Sequence, residues 1–304
     1  MWVNSFWCIY ICGVIAACHT EIYTYPLDLV KTRLQIQGSL HDSIPEAPRR
    51  GMMKTAVGVV KEEGFFSLWT GISALWIRHV IYSGTRITVY NEIRGLFQKY
   101  GSEDKLALWQ AIICGMACGF VAQLLSNPMD LIKVQLQMEG KRKLLGLPPR
   151  GTGFCNAFKR VYSIGGIRGL WIGWVPSCLR AILVAIGDLT TYDTAKRFFI
   201  KHFGLSDRIA LHSLASFIAG LASTILSNPS DVIKSRIMNQ PVDMHGKGLS
   251  YKGTWDCFKT TVKEEGFWAL YKGFWPTWLR LGPWAVIYWD SYEYIRIIIG
   301  GKTF

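Results

Sequence analysis

An all-α membrane protein is the fold class this sequence predicts, with six transmembrane helices in three pseudo-threefold repeats and short amphipathic helices between them. Three observations predict it. First, the box YPLDLVKTR (25–33) recurs as NPMDLIKVQ (127–135) and NPSDVIKSR (228–236), with Pro26, Pro128 and Pro229 lying 102 and 101 residues apart. Self-similarity at a fixed interval marks a repeat architecture. Second, half of the 304 residues are hydrophobic and 18% are charged, against about 25% in soluble domains. Third, the uncharged runs 109–127 and 209–228 are about long enough to cross a ~30 Å hydrocarbon layer.

The elements follow in order. The start, MWVNSFWCIYICGVIAAC, has no basic n-region and no Arg-rich amphipathic pattern, so it reads as the first membrane helix and not as a cleaved leader. That helix ends in the proline box, and a polar Gly/Pro-containing stretch leads to a short amphipathic segment, GMMKTAVGVVKEEG (51–64), echoed by GTWDCFKTTVKEEG (253–266). LWTG, LWIG and LYKG then close at Gly71, Gly173 and Gly273, each ahead of a second apolar helix. The polar joins YGSEDK (100–105) and FGLSDR (203–208) delimit repeats 1–103, 104–204 and 205–304. Two crossings per unit give every unit the same orientation, so the repeats share an axis along the membrane normal and can enclose a cavity. The long loops all fall on one side and are basic (Arg49, Arg50, Lys141, Arg142, Lys143, Arg150, Lys252), within a net charge of +13. By the positive-inside bias that side is the negative compartment. Cys8/Cys12 and Cys114/Cys118 share helix faces at i, i+4 and read as small packing residues.

Charge within the boxes needs a reason, because an ion at the bilayer centre costs ~2.5–3.5 kcal/mol even on a lenient scale. Around a threefold axis the acid of one repeat reaches the base of the next. The expected pairs are Asp28–Lys133, Asp130–Lys234 and Asp231–Lys31, closing the cavity at the basic-loop end. Each proline bends its helix toward that axis. Desolvation cancels much of the attraction in a buried pair, which makes a poor glue and a serviceable latch. A static ring that only fixes helix register is the alternative.

Seven residues past each closing glycine stand Arg78, Arg180 and Arg280, one to two turns into uncharged sequence. Three guanidiniums at one depth suit a central anion site; snorkelling to headgroups is the alternative. Thirteen residues further, Asn91/Arg94, Asp193/Lys196 and Glu293/Arg296 form a candidate gate at the opposite mouth, incomplete because Asn91 replaces an acid. Glu21 breaks the symmetry, since Gln123 and Thr224 occupy its matching positions. Two turns from Asp28 on one face, it is expected as a lone carboxylate in a low-dielectric cavity, a setting that favours its protonated form and suits a proton binder. A buried acid paired with an arginine is the other reading. Asp188 and Arg86, each eight residues past an arginine, are a further candidate pair.

Together these residues resemble the mitochondrial carrier family across essentially the whole chain. Its pattern is Pro-x-[Asp/Glu]-x-x-[Lys/Arg]-x-[Lys/Arg], then an acid-Gly and an aromatic-base-Gly. Repeat two departs from it at Gln135 and Gly165, and Thr70 and Ile172 stand where Lys272 keeps the base. The family's brace beneath the gate, a glutamine nine after the proline, is present as Gln35 and Gln137 but is Met238 in repeat three. RHVIYSG (78–84), GDLTTYDTAK (187–196) and DVIKSRIMNQP (231–241) are most similar to the uncoupling proteins, especially their brain-type branch. The resemblance implies a multi-pass inner-membrane carrier, basic loops in the matrix and termini toward the intermembrane space, that dissipates the proton gradient with fatty acid as activator. It implies a purine-nucleotide site at Arg78, Arg180 and Arg280, a proton-linked carboxylate at Glu21 and a pH-sensing acid at Asp188. It also implies cardiolipin at helix N-termini through Gly51, Gly71, Gly151, Gly173, Gly253 and Gly273, no cofactor or metal, and a monomer.

An exchanger of small dicarboxylates would use the same fold and sites. A nucleic-acid-binding protein would explain the charge, but the bases flank apolar runs. An enzyme is not expected: GGIRG (165–169) follows no strand, and the six histidines join no nucleophile.

Overall fold

The computed structural model describes residues 6–37, 51–100, 108–144, 153–203, 209–243 and 248–299. Within them the chain is helical: α1 (Phe6–Ile36), α2 (Met52–Glu63), α3 (Ile72–Tyr100), α4 (Leu108–Leu144), α5 (Phe154–Leu170), α6 (Trp174–Phe203), α7 (Ile209–Asn239), α8 (Thr254–Glu265) and α9 (Phe274–Ile298). Each repeat is thus long, short, long. The long helices form a closed ring in the order α1, α3, α4, α6, α7, α9, with α9 packed back on α1. At one end α1, α4 and α7 also touch one another across the axis.

Helices α1, α4 and α7 run unbroken through Pro26, Pro128 and Pro229. The residue before each proline fastens its own repeat. Tyr25 Oη donates to Thr70 O (2.7 Å), Asn127 Nδ2 to Ile172 O (3.2 Å) and Asn228 Nδ2 to Leu270 O (2.8 Å). These bonds tie the box to the turn ahead of the next long helix. That turn needs glycine: Gly71 has φ +94°, and a Cβ there would lie 2.8 Å from Tyr25 Oη. Gly173 and Gly273 share the left-handed conformation. In the middle repeat the short helix is longer and breaks at Gly166 (φ 57°), within the GGIRG stretch.

Packing is concentrated between helices, around a polar middle. Tyr25, Leu29, Val59, Leu68 and Leu75 seat α2 against the first repeat, and Ile233, Ile237, Tyr251, Cys257 and Leu270 seat α8 against the third. Cys8 and Cys12 pack with Ala16 and Tyr292 at the α1–α9 seam, as small interfacial residues should. Trp7, Tyr23, Phe217 and Trp289 are exposed on the protein's surface, which suits a lipid solvent. Among the described residues, 109–140 and 174–201 qualify as spans by length and apolarity alone. All six long helices carry ions that the ring turns inward.

Candidate transport site

The long helices surround a cavity of about 320 Å³ whose lining includes all three box aspartates and lysines. The box spacing makes this inevitable: Asp and Lys three apart lie on one helix face, and three such faces meet at the axis. Lys133 Nζ lies 2.5 Å from Asp28 Oδ2, Lys234 Nζ 2.7 Å from Asp130 Oδ2, and Lys31 Nζ 2.6 Å from Asp231 Oδ2. Each acid meets the base of the following repeat, so the ring runs once around the axis.

The arginines, expected as a central anion site, are engaged in the same ring. Arg78 Nε lies 2.6 Å from Asp130 Oδ1, a contact of charge more than of aimed hydrogen bonding. Arg180 pairs with Asp231, and Arg280 reaches Asp28 (3.3 Å) and Glu21 (3.5 Å). Every aspartate is therefore shared between a lysine of the next repeat and an arginine of the previous one. Three aspartates facing six bases leave the floor cationic, and Glu21 offsets one charge. The surplus draws the guanidiniums toward the acids, which sequence spacing alone did not indicate.

Glu21 is not solitary. Its Oε1 accepts from Trp284 Nε1 (3.1 Å) and lies 3.2 Å from His79 Nε2, and Oε2 accepts from Thr24 Oγ1 (3.3 Å). Gln123, its counterpart in repeat two, donates to Asp130 Oδ2 at 2.6 Å. The seven-residue offset between Gln123 and Asp130 signalled one helix face and could have found this bond. His79 and Trp284 carried no such signal, because contact between different helices made them neighbours. Among the described residues Asp188 and Arg86 form no ion pair; Arg86 lines the cavity and Asp188 is half-buried on α6.

Beneath the ring, Gln137 Nε2 donates to Asp28 Oδ2 (3.1 Å) and Tyr25 Oη (3.2 Å). Gln35 does not brace: its Nε2 is buried without a partner among the described residues. Two further clamps lie at this end. Arg33 makes a paired contact with Glu63 of α2 and donates to Gln137 O (3.0 Å). Arg236 holds Glu265 (2.5 Å) and donates to Gln35 O (3.2 Å), and Lys272 also holds Glu265. Burial would raise the Glu265 carboxyl, but bonds from Arg236 and Lys272 outweigh it and hold it below the ordinary 4.5. Gln135, Gly165 and Ile172 stand at the matching places in repeat two, and the joint loss of base and acid there was the clue that they pair.

At the far mouth one acid has a partner within its own helix. Asp193 pairs with Arg197 of its own helix (2.8 Å), and Glu293, Asn91 and Arg94 are exposed. Of the six candidate lipid-binding glycines, Gly71, Gly173 and Gly273 open long helices with positive φ. Gly51 and Gly253 precede α2 and α8 in extended backbone, and Gly151 lies outside the described residues.

Residues 3–101, 104–203 and 206–303 each match the family described as "Mitochondrial carrier protein". The chain is similar to mitochondrial uncoupling protein 4C of Drosophila melanogaster, 40% identical over 290 residues covering 95% of this chain and 86% of that one. It is likewise similar to mitochondrial uncoupling protein 3 of Arabidopsis thaliana, 40% over 292 residues, 95% and 93% of the two chains. Kidney mitochondrial carrier protein 1 of Xenopus laevis is 38% identical over 291 residues, 95% and 97%.

Proposed function

The chain belongs to the mitochondrial carrier family of inner-membrane transporters, not enzymes, and is closely related to the uncoupling proteins; on that premise we propose that it dissipates the proton gradient by alternating access. The observation that carries the reading is the ring of Asp28–Lys133, Asp130–Lys234 and Asp231–Lys31 beneath a cavity that also holds Glu21. The ring acts as the matrix gate, with Gln137 as its brace. Buried pairs gain little net energy, so a modest differential interaction with a bound solute suffices to open it. Asp193, Lys196, Glu293 and Arg296, with Asn91 and Arg94, close the cytoplasmic mouth when the matrix ring parts. The basic-loop side faces the matrix and the termini the intermembrane space.

The solute is a proton, helped by fatty-acid anions that the cationic floor attracts. A charge falling through 100 mV releases ~2.3 kcal/mol, so a leak needs no other energy source. Purine nucleotides inhibit by drawing Arg78, Arg180 and Arg280 off the aspartates, and cardiolipin seats at the glycine-led helix starts. Asp188, half-buried on α6, reports pH. The six bases of the floor also favour a second reading, exchange of small dicarboxylates. Purified protein in liposomes separates the two. Fatty-acid-dependent proton flux without substrate exchange is expected; strict counter-exchange of labelled dicarboxylate with no proton current would replace the first reading by the second.

A further inference from the structure

His79 follows Arg78 on α3 and belongs to the cavity wall, with its Nε2 3.2 Å from Glu21 Oε1. Both side chains are buried, at 8% and 2% exposure. A carboxylate can only accept, so Nε2 carries the hydrogen and the imidazole's lone pair sits on Nδ1. No partner for Nδ1 occurs among the described residues. Glu21, by contrast, is saturated: beyond His79 it takes hydrogen bonds from Trp284 and Thr24 and lies 3.5 Å from Arg280. Donors around a carboxylate stabilise its charged form, which leaves it ill suited to capture a proton itself. The vacant acceptor of the cluster is the imidazole.

We propose that the transported proton enters at His79 Nδ1, with Glu21 as the counter-ion that holds the imidazolium. The proton comes from water in the cavity, Nε2–H stays on Glu21, and the pair passes from one negative charge to none. Release toward the other compartment restores the starting state. Other charges bear on the site: Arg78 on the same helix, Asp28 on α1, Asp130 and Lys133 on α4, and Arg280 on α9. Burial and the like charges of Arg78 and Lys133 oppose an imidazolium, and the carboxylate of Glu21 in contact with it favours one. Asp28 and Asp130 are already held by lysine and arginine, so Glu21 is the counter-ion in contact. This inference rests on the proton-carrier reading and names the atom that accepts the proton.

The test combines liposome flux with nitrogen NMR of histidine-labelled, full-length carrier in detergent. Glutamine at 79 can still donate to Glu21 but cannot take up a proton. His79→Gln should therefore keep the melting temperature, lower proton flux at least tenfold, and remove the histidine step from its pH profile. In the NMR arm the resonance missing from that variant should be an Nε2–H imidazole at high pH and an imidazolium at low pH. Glu21→Gln, with His79 intact, should weaken proton binding to that imidazole at least tenfold. If wild type leaks and His79→Gln leaks with the same profile, the dyad is overturned and the carrier reading survives. An Nδ1–H tautomer, or a titration indifferent to Glu21→Gln, overturns the dyad as well. A wild type with no proton flux overturns both.

Discussion

Asp28 illustrates how the residues of this protein carry more partners than their spacing suggests. It takes Lys133 from the next repeat, Arg280 from the previous one and Gln137 from below. Removing one member of a buried charged pair strands the other, at a cost of about 3–5 kcal/mol, which shared partners reduce. Lys133→Asp should accordingly lower the melting temperature of the detergent-solubilised protein more than Asp28→Lys combined with Lys133→Asp. A double variant no more stable than the single one would show that the pair is not what holds α1 to α4. The lysine–aspartate contacts were legible from the box spacing plus threefold symmetry. The arginine contacts and the surroundings of Glu21 were not, because reach across a cavity depends on how far the helices stand apart.

At the scale of elements, two junctions depend on local chemistry. The turn into α3 requires the left-handed conformation at Gly71, and a Cβ there would strike Tyr25 Oη. Left-handed backbone alone costs an L residue roughly 1–2 kcal/mol. Gly71→Ala should destabilise by about that much or more, measured by thermal unfolding, and should loosen the Tyr25–Thr70 bond that fastens α1 to α3. Short helix α8 is held through Glu265, whose carboxyl titrates below its ordinary 4.5. A depressed value means that the stabilisation is fully present above about pH 4.5 and is lost as pH falls through the lower, folded-state value. Wild type should therefore lose melting temperature on acidification below pH 4.5 more steeply than Glu265→Gln does. Parallel slopes would assign the acid sensitivity elsewhere. The element pattern itself, long, short, long, was readable from the sequence. The longer α5 with its break at Gly166 was not, because a glycine pair there is compatible with either a turn or a bent helix.

For the whole molecule, the three repeats are alike in path but unlike in fastening. The first-to-second and third-to-first junctions are clamped by Arg33–Glu63 on Gln137 O and by Arg236–Glu265 on Gln35 O. The second-to-third junction has Gln135 and Gly165 in those places, and Met238 packs there with Leu131, Val134, Val161 and Leu170. Apolar contacts slide more readily than charged clamps on fixed carbonyls. Gln135→Arg together with Gly165→Glu should supply the missing clamp, raising the melting temperature and slowing transport in liposomes, with neither substitution doing so alone. Additive single effects would mean that no third clamp had formed.

Sequence by itself determined the periodic features of this protein: three units, their helices, and which acid faces which base around an axis. These follow from local periodicity and from lipid's intolerance of charge, both of which act residue by residue along the chain. Tertiary structure alone decided that the arginines hold the aspartates, that Glu21 sits among His79, Trp284 and Arg280, that Gln35 leaves its brace unmade, and that Asp193 pairs within its own helix. Each depends on the distance between helices that are remote in the chain, a quantity that packing of the entire ring sets at once.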